Sequence, residues 1–251
     1  FSATLEGQVL KIANQLLKRP QSIALAANHD RHRSIRQHMH HADSKAHKHK
    51  LLAHHLANGQ LTKALIFTST KRGADQLAKT LRSKDHKSAA LHGDMSQNKR
   101  RQTVENLRKG RVEMLVATDV AARGLDIKNI SHVINFDMPM VAEDYIHRIG
   151  RTGRAGATGC AISLVGSADW QKLSQIEKLT GRKINREVIE GLEPTSSEPT
   201  TRHSGKSSPK FKRKFAGYSK GKGKSTHKPG SWRKGSSSAK RAKQSRAKKA
   251  A

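Results

Sequence analysis

Between residues 63 and 179 the chain alternates short apolar segments with segments whose apolar residues recur three or four positions apart. The apolar segments are predicted strands at 63–68, 88–91, 112–117, 132–136 and 160–165, and the periodic ones are predicted helices at 72–81, 96–107 and 169–179. Strands that alternate with helices of this length build a parallel sheet covered on both faces. The pattern predicts an α/β fold with one hydrophobic core of about 150 residues.

Polar and glycine-containing loops follow three of the predicted strands. In an open parallel sheet, ligands bind beyond the carboxyl ends of the strands. These loops are 68–70, 92–100 and 117–126, and they contain hydroxyls, glycines, arginines and a predicted helix N-terminus at Ser96. Such groups hold a nucleotide phosphate or a phosphodiester backbone. We therefore expect a phosphate-binding surface at this edge of the sheet.

The segment 145–156 combines arginines with glycines at regular spacing. The residues concerned are Arg148, Arg151, Arg154, Gly150, Gly153 and Gly156. A roughly helical turn places at least two of the three guanidinium groups on one side, and the glycines let the backbone come close to a ligand. A planar guanidinium suits phosphate oxygens better than an ammonium does. The segment indicates an anion clamp, with a solvated basic loop as the alternative.

The charge balance points to a polyanionic partner. The 50 Lys and Arg residues outnumber the 19 Asp and Glu residues, which gives a formal net charge of +31. Segment 201–251 has no acidic residue and 18 basic ones, which leaves +13 for the rest of the chain (31 minus 18). With few aliphatic residues, residues 193–251 are predicted to be a disordered tail that binds nucleic acid mainly by charge. Its aromatic residues suit base stacking.

Composition also restricts the compartment. The single cysteine, Cys160, excludes an internal disulfide framework and fits a reducing compartment. The sequence has neither an apolar run of about 18 residues nor a secretory signal. We therefore expect a cytoplasmic protein with no membrane contact. Because the chain begins with Phe1, we also expect it to be the rear part of a longer protein.

The first 50 residues were divided into two predicted segments. Residues 1–27 contain a predicted helix and a short strand at 22–26, and they are interpreted as the end of a preceding domain. Residues 28–50 are rich in histidine and are interpreted as a basic linker that runs into a helix near residues 44–56. A metal site around His38 to His55 is the alternative, but no cysteine accompanies the histidines and the surrounding lysines and arginines repel a cation. We assign no metal ligand.

The loops at 92–100 and 117–126 and the segment 147–154 together resemble the second RecA-like domain of the DEAD-box RNA helicases. The resemblance covers residues 51–192 in the family's order, and Ser2-Ala-Thr4 is similar to the motif that closes the family's first domain. It implies a RecA-like parallel sheet with helices on both faces.

The resemblance also implies roles for individual residues. Arg151 and Arg154 would be arginine fingers that reach the γ-phosphate of ATP and stabilise the charge of the transition state. Gly124 and Asp126 would face the nucleotide. RNA phosphates would be bound, without regard to base sequence, by Gly93, Gln97, Arg100 and Thr118. Coupling between the two helicase domains would involve Ser2, Thr4, His147 and Arg148.

Several of these residues have a purely structural alternative. Asp126 can cap a turn, Gln97 can be a solvated helix residue, and Thr118 can be a hydroxyl at a strand end. Arg123 either contacts RNA or forms a structural ion pair with its neighbour Asp119.

A phosphate-binding loop and an acidic magnesium motif, which a helicase needs, do not occur in the predicted folded part. The near match at 217–225 has its outer glycine one residue too far away and follows no strand. ATP and Mg²⁺ are therefore expected to be bound mainly by a missing N-terminal RecA-like domain.

The expected function is that of the C-terminal part of an ATP-dependent RNA helicase, without ATPase activity of its own. In the intact protein, RNA would stimulate ATP hydrolysis and local duplex unwinding. The basic tail is similar to those of bacterial members that act on ribosomal RNA, which suggests ribosome assembly. A non-enzymatic RNA-binding scaffold is the alternative.

Overall fold

A computed structural model describes residues 7–21, 34–57, 59, 61–125, 127, 129–154 and 157–198 of the chain. The predictions for Ser2, Thr4, Asp126, the strand at 22–26 and the tail from residue 199 onward lie outside the described residues.

The described residues form a seven-stranded sheet in the order β3-β4-β2-β5-β6-β1-β7, and every paired strand is parallel to its neighbour. The strands are β1 Ile35–Ala42, β2 Ala64–Phe67, β3 Ser88–Leu91, β4 Met114–Ala117, β5 His132–Asn135, β6 Gly159–Gly166 and β7 Asn185–Arg186. The predicted α/β fold with a parallel sheet is confirmed.

Helices follow most of the strands. They are α1 Gly7–Leu16, α2 Lys45–Ala57, α3 Lys71–Arg82, α4 Gln97–Arg108, α5 Asp119–Ala122, α6 Ala142–Ile149 and α7 Trp170–Thr180, the last preceded by a 3₁₀ turn at Ser167–Asp169. Thr70 and Ser96 cap α3 and α4 by accepting hydrogen bonds from Gly73 N (2.9 Å) and Lys99 N (3.4 Å). None of the helices in the described residues is long and apolar enough to cross a membrane.

Both faces of the sheet are buried. On β2, Ala64 and Ile66 belong to one apolar cluster with helices α2 and α3, whereas the alternating residues Leu65 and Phe67 belong to another with residues of α4 and α5. A third cluster packs β1 and β6 against α6 and α7. This two-sided burial explains why the strands are continuously apolar in the sequence.

The prediction of a linker at 28–50 is wrong for residues 35–42, because β1 pairs with β6 over eight positions. The helix predicted near residues 44–56 is confirmed as α2, Lys45–Ala57. This strand was not predicted because its polar histidines interrupt the apolar pattern that marks the other strands. His40 is buried, its Nδ1 donates to the carbonyl of Glu187 (2.8 Å), and its Nε2 accepts from Nε2 of His55 (2.8 Å). Burial lowers the pKa of both rings, that of His55 to about 4. Uncharged and hydrogen-bonded, the rings pack as core residues.

Among the described residues, no group of three or more His, Cys, Asp or Glu is arranged to hold a metal ion.

Residues 184–198, here called the C-terminal strap, lie along β1 and α2. Asp43 accepts hydrogen bonds from both the backbone and the hydroxyl of Thr195 (2.7 and 3.0 Å) and of Ser196 (3.0 Å for the backbone). These bonds hold the pKa of Asp43 well below its usual range. His47 Nε2 donates to the carbonyl of Leu192 (3.0 Å). The predicted start of the unpacked tail at residue 193 is therefore wrong for 193–198.

Replacing Asp43 with alanine is expected to loosen the end of the strap, because the backbone and hydroxyl groups of two residues lose their shared acceptor. Amide hydrogen exchange at Thr195 and Ser196 should become several-fold faster, with a small fall in the melting temperature. Ser197→Ala is the matched control, since Ser197 is exposed and does not bond to Asp43 in the described structure. Unchanged exchange in Asp43→Ala would contradict the strap's dependence on this carboxylate.

Candidate functional site

The side chain of Arg148 joins four elements in the interior of the domain. Its Nε and Nη2 donate to the two carboxylate oxygens of Asp119 (2.6 and 2.7 Å), and its Nη1 donates to Asn135 Oδ1 (3.1 Å) and to the carbonyl of Asp137 (2.7 Å). The guanidinium also lies over the ring of Phe67, 4.8 Å from its centre. With only 2% of its side chain exposed, Arg148 is a structural hub.

A second ion pair lies one helical turn away from the first. Arg123 Nη2 is 2.7 Å from Asp144 Oδ1, and His147 Nδ1 is 3.8 Å from the same oxygen. Each of α5 and α6 therefore contributes an acid and, four positions later, an arginine, and each acid pairs with the arginine of the other segment. We call this arrangement of Asp119–Arg148 and Arg123–Asp144 the α5–α6 clasp.

The clasp changes two interpretations of the sequence. The alternative that Arg123 pairs with its neighbour Asp119 is wrong, because Arg123 pairs with Asp144 and Asp119 is taken by Arg148. The three arginines of the 145–156 segment also do not form one clamp. Arg148 points into the domain, so Arg151 and Arg154 remain as the arginines of the turn that follows α6.

This turn, residues 151–154, is fixed by its own packing. The hydroxyl of Thr152 lies 2.6 Å from the carbonyl of Ile130 and 3.0 Å from that of Ser131, just before β5. Gly153 has a φ of 64°, and a Cβ at this position would lie 2.7 Å from Cγ1 of Ile35. Only glycine fits there, and the reason is contact with the start of β1 rather than with a ligand. The turn therefore lies near the amino ends of β1 and β5, away from the strand carboxyl ends that precede the three predicted phosphate-binding loops.

Arg151 and Arg154 carry neighbouring positive charges on this turn. Arg151 is half-buried and its Nη1 donates to the carbonyl of Leu125 (3.0 Å), whereas Arg154 is exposed and its Nε donates to the carbonyl of Gly150 (2.8 Å). Burial, and after it the charge of Arg154, lowers the pKa of Arg151. Two close guanidinium groups with a partly desolvated member suit an anion with several oxygens.

The bond between Arg151 and Leu125 links the turn to an open cleft of about 660 Å³. The cleft brings together three of the predicted site residues, namely Gln97 and Arg100 of α4 and Gly124 of the turn after α5. Arg100 Nη2 donates to the carbonyl of Ala121 (3.2 Å), which ties α4 to α5. Gly124 has a φ of 73°, and a Cβ there would meet no atom within 4 Å, so this glycine borders open space.

Three further arginines line this cleft, Arg101, Arg108 and Arg123, and Glu105 is the acid among its lining residues. Glu105 is itself 3.2 Å from Lys109 Nζ. Sequence reasoning considered Arg123 but missed Arg101 and Arg108, although the basic run 99–101 was a visible signal for Arg101. The excess of guanidinium groups favours an anionic ligand.

The remaining predicted residues lie at neighbouring strand ends. Thr118 follows β4, and its backbone N–H donates to the carbonyl of Leu91, the last residue of β3 (3.3 Å). Its side chain makes no capping bond to α5. Gly93 is exposed two residues after β3, and a Cβ there would lie 3.5 Å from Cε of Lys71. These two residues therefore lie beyond the carboxyl ends of β3 and β4, whereas the cleft is lined by α4 and the turn after α5.

The two ion pairs of the clasp differ in burial, which predicts different effects on folding. Arg148→Met should lower the free energy of unfolding by about 3 kcal/mol, because it breaks a buried ion pair and leaves the partly buried Asp119 carboxylate without its partner. The matched change Arg123→Met should cost less than about 1 kcal/mol, since Arg123 is 61% exposed. Urea unfolding of both variants measures the difference. Equal losses would contradict the assignment of Arg148 as the hub.

Comparison with known proteins places this geometry in a family. The family model of the helicase conserved C-terminal domain matches residues 47–156. The ATP-dependent RNA helicase SrmB of Haemophilus influenzae is 42% identical over 200 residues, which are 79% of this chain and 46% of that protein. The chain spans about half the length of the curated relatives it matches.

Solved structures of DEAD-box proteins also resemble this chain. The DEAD-box protein SrmB of Escherichia coli, crystallised with the regulator of ribonuclease activity A, superposes with a TM-score of 0.64 and 42% identity over 66% of this chain and 98% of that chain. Dbp5 of Saccharomyces cerevisiae bound to RNA and ADP BeF3 gives a TM-score of 0.68 and 34% identity, over 74% of this chain and 50% of that one. The fold is thus that of a RecA-like helicase domain, and the chain belongs to the DEAD-box RNA helicase family.

Proposed function

We propose that this chain is the C-terminal half of an ATP-dependent RNA helicase, in which RNA binding stimulates ATP hydrolysis and a short duplex is separated locally. The observation that carries the proposal is the arginine-lined cleft between α4 and the turn after α5, which the bond from Arg151 Nη1 to the Leu125 carbonyl joins to the arginine turn. It is supported by the similarity to ATP-dependent RNA helicases and to the structure of Dbp5 bound to RNA and ADP BeF3.

In this proposal Arg151 and Arg154 are the arginine fingers, and Gly124 and Asp126 face the nucleotide. The paired guanidinium groups and the open space at Gly124 fit a polyphosphate. ATP, bound mainly by a preceding RecA-like domain, supplies the bond between phosphates that is broken. Asp119 and Asp144, the acids of the clasp, are engaged with arginines. Mg²⁺ is therefore assigned to the preceding domain.

RNA is proposed to lie against the strand ends and the cleft. Gly93 and Thr118 would approach the sugar-phosphate backbone at the ends of β3 and β4. Gln97 and Arg100, at the start of α4, would hold the next phosphates. Contacts of this kind carry no information about base sequence.

Coupling between the domains is assigned to Ser2, Thr4, His147 and Arg148. His147 is partly exposed beside Asp144 and can reach a partner surface. Arg148 is buried, so its part in coupling is to hold α5 and α6 in register rather than to cross the cleft itself.

We further propose ribosomal RNA as the substrate class, ribosome assembly as the process and the cytoplasm as its location. The support is the charge of residues 201–251, which hold 18 basic residues and no acidic one. Such a segment binds folded RNA of any sequence through its phosphates.

The chain by itself is expected to bind single-stranded RNA at low salt without hydrolysing ATP. Its affinity should fall steeply as salt rises, because binding releases condensed counterions. Fluorescence anisotropy with labelled RNA measures the first property, and phosphate release in the presence of RNA measures the second. RNA-stimulated ATPase activity in the purified chain would overturn the assignment of the nucleotide site to two domains.

In the protein that includes the preceding domain, Arg151→Ala combined with Arg154→Ala should lower kcat for ATP hydrolysis by a factor of about 10³ to 10⁵. The RNA affinity of the double variant, measured at the same salt concentration as that of the wild type, should change little. Arg182→Ala, an exposed arginine outside the site, is the control. If cellular function survives the double change but is lost on removal of residues 199–251, the chain is a non-enzymatic RNA-binding scaffold.

A further inference from the structure

We propose that Asp144 is a positioning residue for Arg151. It holds Arg123, and through Arg123 the turn 123–125, whose Leu125 carbonyl fixes the Arg151 guanidinium. The inference rests on the proposed function, in which Arg151 contacts the nucleotide, and it adds a residue outside the arginine turn to the machinery that places this group.

The turn that receives Arg151 has little intrinsic rigidity. Helix α5 has only four residues, and Gly124 follows it with a positive φ of 73°. The local backbone bond from Leu125 N to the carbonyl of Ala122 is long, at 3.4 Å. A turn made of one short helix and a glycine has many accessible conformations, so a side-chain contact is needed to select one.

The Arg123–Asp144 pair supplies that contact. Arg123 begins the turn, and its guanidinium is 2.7 Å from the Asp144 carboxylate on α6. The hydrogen bond to Asp144 is the main cause of the raised pKa of Arg123, with the nearby Asp119 adding to it. Because Asp144 belongs to a helix whose other end leads directly into residues 151–154, the pair fixes the turn relative to the segment that bears Arg151.

The second step joins the turn to the guanidinium. The carbonyl of Leu125 accepts from Arg151 Nη1 at 3.0 Å. In the described part of the chain this is the hydrogen bond that the Arg151 guanidinium makes, so most of its five donors remain for phosphate oxygens. Repulsion from Arg154 would otherwise drive the group outward. Catalytic groups misplaced by about 1 Å can lose roughly 10² in rate.

The two ion pairs of the clasp differ in their expected contribution to folding stability. Arg148 is buried, and its contacts join β2, β5, α5 and α6. Breaking its pair with Asp119 is therefore expected to lower the free energy of unfolding. Arg123–Asp144 has an exposed arginine and contributes little to folding. An effect of Asp144 on catalysis can therefore be measured in a folded protein.

The first experiment uses this chain alone and does not depend on activity. NMR relaxation of the side-chain ¹⁵Nε of Arg151 is compared in the wild type, Asp144→Asn and Glu143→Gln. Glu143 is the adjacent exposed acid of α6, so the control makes the same chemical change one residue away. We expect greater Arg151 mobility in Asp144→Asn only, with an unchanged melting temperature. Unchanged mobility overturns the proposal.

The second experiment uses the protein that includes the preceding helicase domain. Asp144→Asn should lower kcat for ATP hydrolysis by roughly 10-fold to 10²-fold and leave the KM for RNA unchanged. Asp144→Glu should recover part of the rate, and Glu143→Gln should match the wild type. In an Arg151→Ala background, Asp144→Asn should have no further effect, because the two residues act in series.

The outcomes distinguish failure of the proposed function of Arg151 from failure of the positioning role of Asp144. If Arg151→Ala leaves hydrolysis intact, the proposed function fails. If Arg151→Ala lowers kcat but Asp144→Asn does not, or if the two losses simply multiply, the positioning role of Asp144 is overturned and the proposed function stands.

Discussion

The buried pair between Arg148 and Asp119 is the interaction on which the functional surface depends. A guanidinium that is almost wholly removed from water needs acceptors for its donors, and hydrogen bonds to Asp119, Asn135 and Asp137 engage four of the five N–H groups. Those bonds place the start of α5, the end of β5 and α6 at fixed distances. The cleft and the arginine turn are built on that frame.

These fixed distances explain how the candidate site residues can lie at both the carboxyl ends and the amino ends of the strands. Strand ends at Gly93 and Thr118 begin it, and α6 runs back along the sheet to deliver Arg151 near the amino ends of the strands. The turn after α5 closes the gap, because Leu125 accepts from Arg151 while Gly124 borders the cleft. In the proposed function, neighbouring parts of one domain would bind a phosphate chain and a nucleic-acid backbone.

Histidine has an unusual structural part in this chain. The buried His40 and the partly buried His55 form a hydrogen-bonded pair, and His47 donates to the C-terminal strap. The lowered pKa values of His40 and His55 follow from burial, which disfavours the charged ring. A strand in which histidines alternate with few aliphatic residues lacks the apolar run that marks the other strands, and so β1 was interpreted as a linker.

The sequence by itself determined the α/β class, most of the strands and helices, and the position of the loops proposed to bind phosphate, because apolar periodicity and cap residues are local properties. The spacing of Arg148, Arg151 and Arg154 did not reveal that the first arginine points inward. Nor did the i, i+4 spacing of Asp119 and Arg123 predict that each would pair across to α6. Partner choice among charges depends on which helices the sheet brings side by side and on how far each pair is removed from water. Only the tertiary structure decides both.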